Sequence, residues 1–179
     1  MQSSSTGTPP GYRTVGENRI RETVGRGLAE FAVGQVIEHR PARTVTETDH
    51  IMMLALTGNP APIHSDTQFC QQIGSEKPVV CGIVTLGIVL GASVRSTSGL
   101  TTANIAMNEL VLEHPVHVGD TLRAQTEIRE ARPSRSRPDQ GVVTTRTEGF
   151  NQHDQRVIAF TRTFLVPADA AELRETTDY

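Results

Sequence analysis

A chain of 179 residues and 19.4 kDa is long enough for one domain with a proper core and short for two. Its formal net charge of −3 and pI of about 6.1 give no basic footprint for nucleic acid or an anionic membrane surface, so neither is an expected partner. No apolar run reaches the roughly 18 to 20 residues that a bilayer-spanning helix needs.

The opening MQSSSTGTPPGY has neither a basic start nor an apolar stretch, and reads as a lead rather than a secretion signal. The cytoplasm is the expected compartment. Residues 1–28, rich in Ser, Thr, Gly, Pro and charge, are expected as a flexible lead or an arm laid over the domain. The domain itself is assigned to 29–168, and 169–179 to a C-terminal tail.

Within the domain the first strand is expected over Val36 to Thr46. Thr46 with Asp49 three residues on then makes a capping-box signal for a helix, along which Ile51, Leu54 and Ala55 form an apolar stripe and which Gly58 stops. Pro60 and Pro62 forbid an immediate return to helix, so His64 sits on a stiff, short loop. Asp66 is placed to cap a short helix over TQFCQQIG. After Pro78, GIVTLGIVLGASV is apolar on most sides and is assigned to a buried central helix from about Gly82 to Val94.

From Thr102 the period changes to two. Four segments, ANIAMNELVLEHPV, DTLRAQTEIREAR, GVVTTRTEGFNQ and QRVIAFTRTFLVP, alternate polar residues with Val, Ile, Thr and Phe across Gly-Asp, Arg/Pro/Ser and Asn-to-Asp turns. That is an antiparallel meander, and with the preceding helices it describes an α+β domain whose curved sheet wraps a helix.

Metal and nucleotide chemistry find no motif. Cys70 and Cys81 read as free thiols in or near the core, since two cysteines make no metal set and a reducing compartment disfavours their disulfide. The six histidines show no HExxH or HxH spacing, and no Gly-rich phosphate loop is present. Neither a cofactor nor a metal is expected.

TGNPAPIHSD, KPVVCGIVTLG, LVLEHPVHVGDTL and SRPDQGVVTTRTEGFNQ, in this order, resemble the MaoC-like hot-dog family of (R)-specific enoyl-thioester hydratases and dehydratases over about Phe31 to Pro167. The resemblance implies a single hot-dog fold, CoA or acyl-carrier-protein thioesters as substrates, and a homodimer. The family's catalytic loop commonly reads Ser or Thr, Gly, Asp, any residue, Asn, Pro, any residue, His. On this chain the His is His64, the Gly is Gly58 and the acid's place, five positions before His64, is held by Asn59. Ala61 stands where the inner Asn falls, Pro62 keeps the Pro, and the later His-Gly pair reads Cys81-Gly82.

These residues carry the expected chemistry. Hydrating an enoyl thioester needs a proton acceptor for water, a proton for the α-carbon, and stabilisation of charge on the thioester oxygen. An imidazole, with an ordinary pKa near 6.5, moves protons at neutral pH, which gives His64 the acid/base role. Gly82, opening a buried helix, offers a backbone N–H to the oxygen, a role compatible with tight packing. Asn59 holds water or substrate, or else caps a turn, and cannot exchange a proton. Two alternatives stand beside the hydratase: an impaired thioester-binding subunit supporting an active partner, and, less favoured, a hot-dog thioesterase. Arg132, Arg135 and Arg137 either meet phosphates or a carrier protein, or form a solvated loop.

Overall fold

The computed structural model describes residues 8, 9 and 11–179. A hairpin, β1 (Tyr12–Gly16) and β2 (Arg19–Glu22), precedes the domain. The domain runs β3 (Val36–Thr44), α1 (Glu47–Thr57), α2 (Thr67–Gln72), α3 (Gly82–Val94), β4 (Ala103–Leu112), β5 (Thr121–Pro133), β6 (Gln140–Phe150) and β7 (Arg156–Pro167), with α4 (Ala170–Thr177) last. One antiparallel five-stranded sheet, in the order β3-β5-β6-β7-β4, curves over α3. This is the α+β hot-dog arrangement.

Local chemistry places the elements. Thr46 accepts from the Asp49 amide while Asp49 reaches back to the Thr46 amide, so α1 opens on the full capping box, and Gly58 closes it in the left-handed conformation. The Thr46 amide first, and then the Thr46 hydroxyl, which also donates to Asp49, hold the Asp49 carboxyl below its ordinary pKa. Asp66 caps α2 through the Phe69 amide.

α3 buries Val84, Thr85, Ile88, Val89 and Ser93 against the sheet, where Leu122, Ala124, Val157, Ile158 and Phe160 meet them. A second cluster, Phe31 with Ile128, Val143, Phe164 and Val166, fills the other end. Two expectations change here. The single sheet covers one side of α3 only, so Ile83 is half exposed and no neighbour lies where Cβ atoms at Gly87 and Gly91 would be. On α1 the buried residue is His50, while Ile51 of the expected stripe is exposed together with Met52 and Leu56.

Within the stretch expected as a lead or an arm, residues 12–22 form the β1–β2 hairpin. Arg13 donates to the carbonyls of Tyr179 and Arg174, Arg21 pairs with Asp178, and the Gly25 amide donates to Arg95 at the end of α3. The hairpin and α4, which lies in the expected tail, thus tie the two chain ends together. Residues 1–7 and Pro10 of that lead lie outside the described residues. No described helix is long and apolar enough to cross a membrane.

Candidate active site

The loop from Gly58 to Asp66 is held by its own hydrogen bonds. Asn59 Oδ1 accepts from the Ala61 amide at 3.0 Å, an Asx turn that sets the chain for the two prolines. Pro62–His64 then form a single 3-10 turn, with the Ser65 and Asp66 amides both donating to the Pro62 carbonyl.

The segment Pro78–Cys81, which leads into α3, is fixed on every side. Pro78 O accepts from His117 Nδ1, Val79 N donates to Ile63 O, and Val80 N donates to Val116 O. Val79 O accepts from His64 Nδ1 at 2.8 Å. Because a carbonyl only accepts, the proton of a neutral His64 sits on Nδ1, and Nε2 keeps its lone pair. The ring is half-buried. A free Nε2 on a clamped imidazole is what a general base requires.

His50 joins the two halves. Its Nε2 meets the His64 carbonyl at 2.7 Å, and its Nδ1 lies 3.4 Å from the Cys81 amide. The amide donates and the carbonyl accepts, so His50 is the neutral Nε2–H tautomer, buried between the Gly58–Asp66 loop and the start of α3. Sequence reasoning passed over this residue. It lies outside the loop motif, and only its failure to fit the apolar stripe of α1 marks it.

With the Cys81 amide engaged, the first free donors of α3 are the Gly82 and Ile83 amides, which no intrahelical acceptor can reach. The helix adds partial positive charge there. A Cβ at Gly82 would lie 2.5 Å from Leu112 Cδ1, so glycine serves close approach as well as the donor. Asn59 Nδ2 approaches Cys81 Sγ at 3.8 Å, which brings the loop, Cys81 and Gly82 to one place. The three expected residues are therefore gathered at one end of α3, though both polar groups of Asn59 already have partners within the protein. Asp66 stays with its helix cap. Arg132 pairs with Glu130 within β5, and Arg137, on the loop between β5 and β6, bonds Gln140. Among the described residues no group of three His, Cys, Asp or Glu is placed to hold a metal ion.

The model of the MaoC like domain matches residues 29–150. The chain belongs to the MaoC-like domain family. It is 30% identical over 142 residues to the β-methylmalyl-CoA dehydratase of Chloroflexus aurantiacus, covering 79% of this chain and 40% of that protein. Against the mesaconyl-CoA hydratase of Cereibacter sphaeroides it is 28% identical, covering 82% and 43%. The chain thus spans about two-fifths of the length of these curated relatives. The solved MaoC-like dehydratase of Rhodospirillum rubrum is 26% identical with a TM-score of 0.68, over 80% of this chain and 97% of that one. One MaoC-like unit therefore accounts for nearly the whole of that relative.

Proposed function

We propose that this MaoC-like chain adds water to an enoyl-CoA, or removes it from a 3-hydroxyacyl-CoA, with His64 as the acid/base and Gly82 as the oxyanion donor. The observation that carries the reading is the His64 Nδ1–Val79 O bond at 2.8 Å, which leaves Nε2 free and ties the ring to the segment that leads into α3. In hydration, His64 Nε2 takes a proton from water as the oxygen bonds to the β-carbon. Charge moves to the thioester oxygen, where the Gly82 amide meets it, and the same imidazole returns the proton to the α-carbon. Atoms balance with one water consumed, and dehydration is the reverse. The relatives' names, one a dehydratase and one a hydratase of CoA thioesters, support both directions. An acyl-carrier protein is a further carrier to test, and the cytoplasm the proposed compartment.

Two copies complete the assembly in this reading. β4 is an edge strand of the five-stranded sheet, and an unpaired backbone edge gains by pairing with its own copy. A specific feature also favours the binding-subunit alternative: Asn59 replaces the acid and is already engaged by the Ala61 amide and Cys81.

The deciding experiment follows loss of the conjugated enoyl-thioester absorbance beside a thiol-release assay, on the wild type and His64→Ala. The expected result is hydration without thiol release, lowered about a hundredfold or more in the variant. Unchanged turnover in His64→Ala removes His64 from the mechanism, thiol release identifies a thioesterase, and tight acyl-CoA binding without turnover identifies the binding subunit.

A further inference from the structure

Arg162 lies in the middle of β7, on the sheet face that also carries Phe160 and Phe164. Only 4% of it is exposed, yet it has no salt-bridge partner among the described residues. Nη2 donates to Ser98 Oγ at 2.7 Å, the guanidinium lies 4.7 Å from the Phe164 ring centre, and the buried Nε has no acceptor. Burial lowers its pKa to about 10, which leaves it cationic at neutral pH. A buried cation with no acid beside it calls for an anion, and the terminal N–H groups of a guanidinium can meet a carboxylate in two bonds.

The space for one is present. Arg162 forms the wall of a depression of about 320 Å³, completed by Leu90 of α3 and Asn104, Ile105, Ala106 and Met107 of β4. Its walls are apolar apart from the guanidinium and the Asn104 amide. That composition suits a carboxylate carried on a hydrocarbon stem, and suits a phosphate, with its full hydration shell, poorly.

The depression is also in line with the candidate active site. α3 packs on β3, β5, β6 and β7, so the strip between it and β4 stays open, with Ile83 and Gly87 exposed on the helix and Met107, Leu110 and Leu112 on the strand. At one end Leu112 meets Gly82; at the other Leu90 and Met107 stand beside Arg162. Gly82 and Leu90 are eight residues apart on one helix, or about 12 Å. An extended hydrocarbon chain covers that span with roughly ten carbons, at about 1.25 Å of reach for each 1.5 Å bond.

We propose that Arg162 is the far end of the acyl site and holds the terminal carboxylate of a dicarboxylic acyl thioester whose carbonyl lies at Gly82. The proposal rests on the hydratase reading for the carbonyl end, and on Arg162 and its depression for the other.

The test compares two substrates, a 2-enoyl-CoA of about ten carbons ending in methyl and the chain-matched one ending in carboxylate, reach again setting the length. Wild type should show a kcat/KM at least about tenfold higher for the carboxylate, and Arg162→Met should abolish that ratio. Arg162→Lys should keep part of it, since an ammonium retains charge without the two-bond fork. Calorimetry with the saturated, unreactive forms of both thioesters reads the same selectivity without turnover, so it stands even if the chain proves to be no hydratase. An equal ratio in wild type and Arg162→Met overturns the proposal, as does a calorimetric preference that survives the substitution. Free monocarboxylates of the same length provide the third arm. Arg162-dependent binding of the free acid with no preference between the thioesters overturns the acyl-end assignment in favour of a separate carboxylate ligand. Weakened self-association of Arg162→Met with an unaltered ratio overturns it in favour of a carboxylate from a second copy of the chain.

Discussion

Replacing His50 by Leu removes the side chain that spans from the His64 loop to the start of α3. Two backbone groups lose their partner: the His64 carbonyl, bonded at 2.7 Å, and the Cys81 amide, held at 3.4 Å. Leaving a buried polar group unsatisfied costs about 1–3 kcal/mol, and the longer Cys81 contact belongs at the low end of that range. His50→Leu should therefore lose about 2–4 kcal/mol of unfolding free energy in urea, with an unchanged m-value. Turnover should fall further than stability implies, because His64 and Gly82 then shift relative to each other, and a displacement of about 1 Å can cost roughly a hundredfold. His50→Gln supplies both a donor and an acceptor, and should recover part of each loss. The assay pairs urea titrations with kcat and KM measured well below the unfolding transition. A His50→Leu variant with wild-type turnover would show that the bridge is packing alone. A His50→Gln variant no better than His50→Leu would show that the two hydrogen bonds are not what matters.

Gly82→Ala places a methyl 2.5 Å from Leu112 Cδ1, the end of a flexible side chain that is 53% exposed and free to swing. Stability should hold within about 1 kcal/mol, since Ala favours helix over Gly by a similar amount, while hydration slows at least tenfold; a thermal melt and a rate on one sample check both, and an unslowed variant removes Gly82 from the oxyanion site. Asn59→Asp keeps the acceptor for the Ala61 amide and adds a group that exchanges protons. Its activity or its pH–rate profile should change across neutral and carboxylated substrates, and identical profiles would confine Asn59 to the turn. His39 is buried between Ser96 Oγ and Thr126 Oγ1, and burial, then the charges of Arg26 and Arg40, lower its pKa to about 4. Below about pH 6.5 the unfolded chain takes a proton that the folded one refuses until about pH 4, so stability present at neutral pH is lost across that window, by at most about 3 kcal/mol. Urea titrations at pH 7 and 4.5 should show a smaller acid loss in His39→Gln than in wild type; an equal loss would place the sensitivity elsewhere.

The residues differ in how far sequence alone could reveal them, and the reason is where their partners lie. The capping box of Thr46 and Asp49, the stop at Gly58, the Asp66 cap and the bounds of α3 all depend on neighbours a few positions away, and each is readable as a local pattern. The period of two after Thr102 announced four strands, because alternation needs only the strand itself. The outer face of α3 was misjudged for the converse reason: an apolar sequence tells that a helix seeks cover, and one sheet supplies cover on one side.

His64 lies between these cases. Its place in the loop motif singled it out, but the nitrogen left free for the proposed base role is decided by the Val79 carbonyl, which arrives from fifteen residues on. His50 and Arg162 had no local signal of function at all. In the sequence His50 is a polar interruption of an apolar helix, and Arg162 is the polar member of an alternating strand. Only the fold shows that His50 satisfies two backbone groups from separate segments, and that Arg162, on the strand's covered face, has no acid to meet it. Both are buried polar groups, one fully satisfied and one not. The satisfied one explains how the site is held, whereas the unsatisfied one, in a chain that places so few charges inside, has its explanation in something the protein binds.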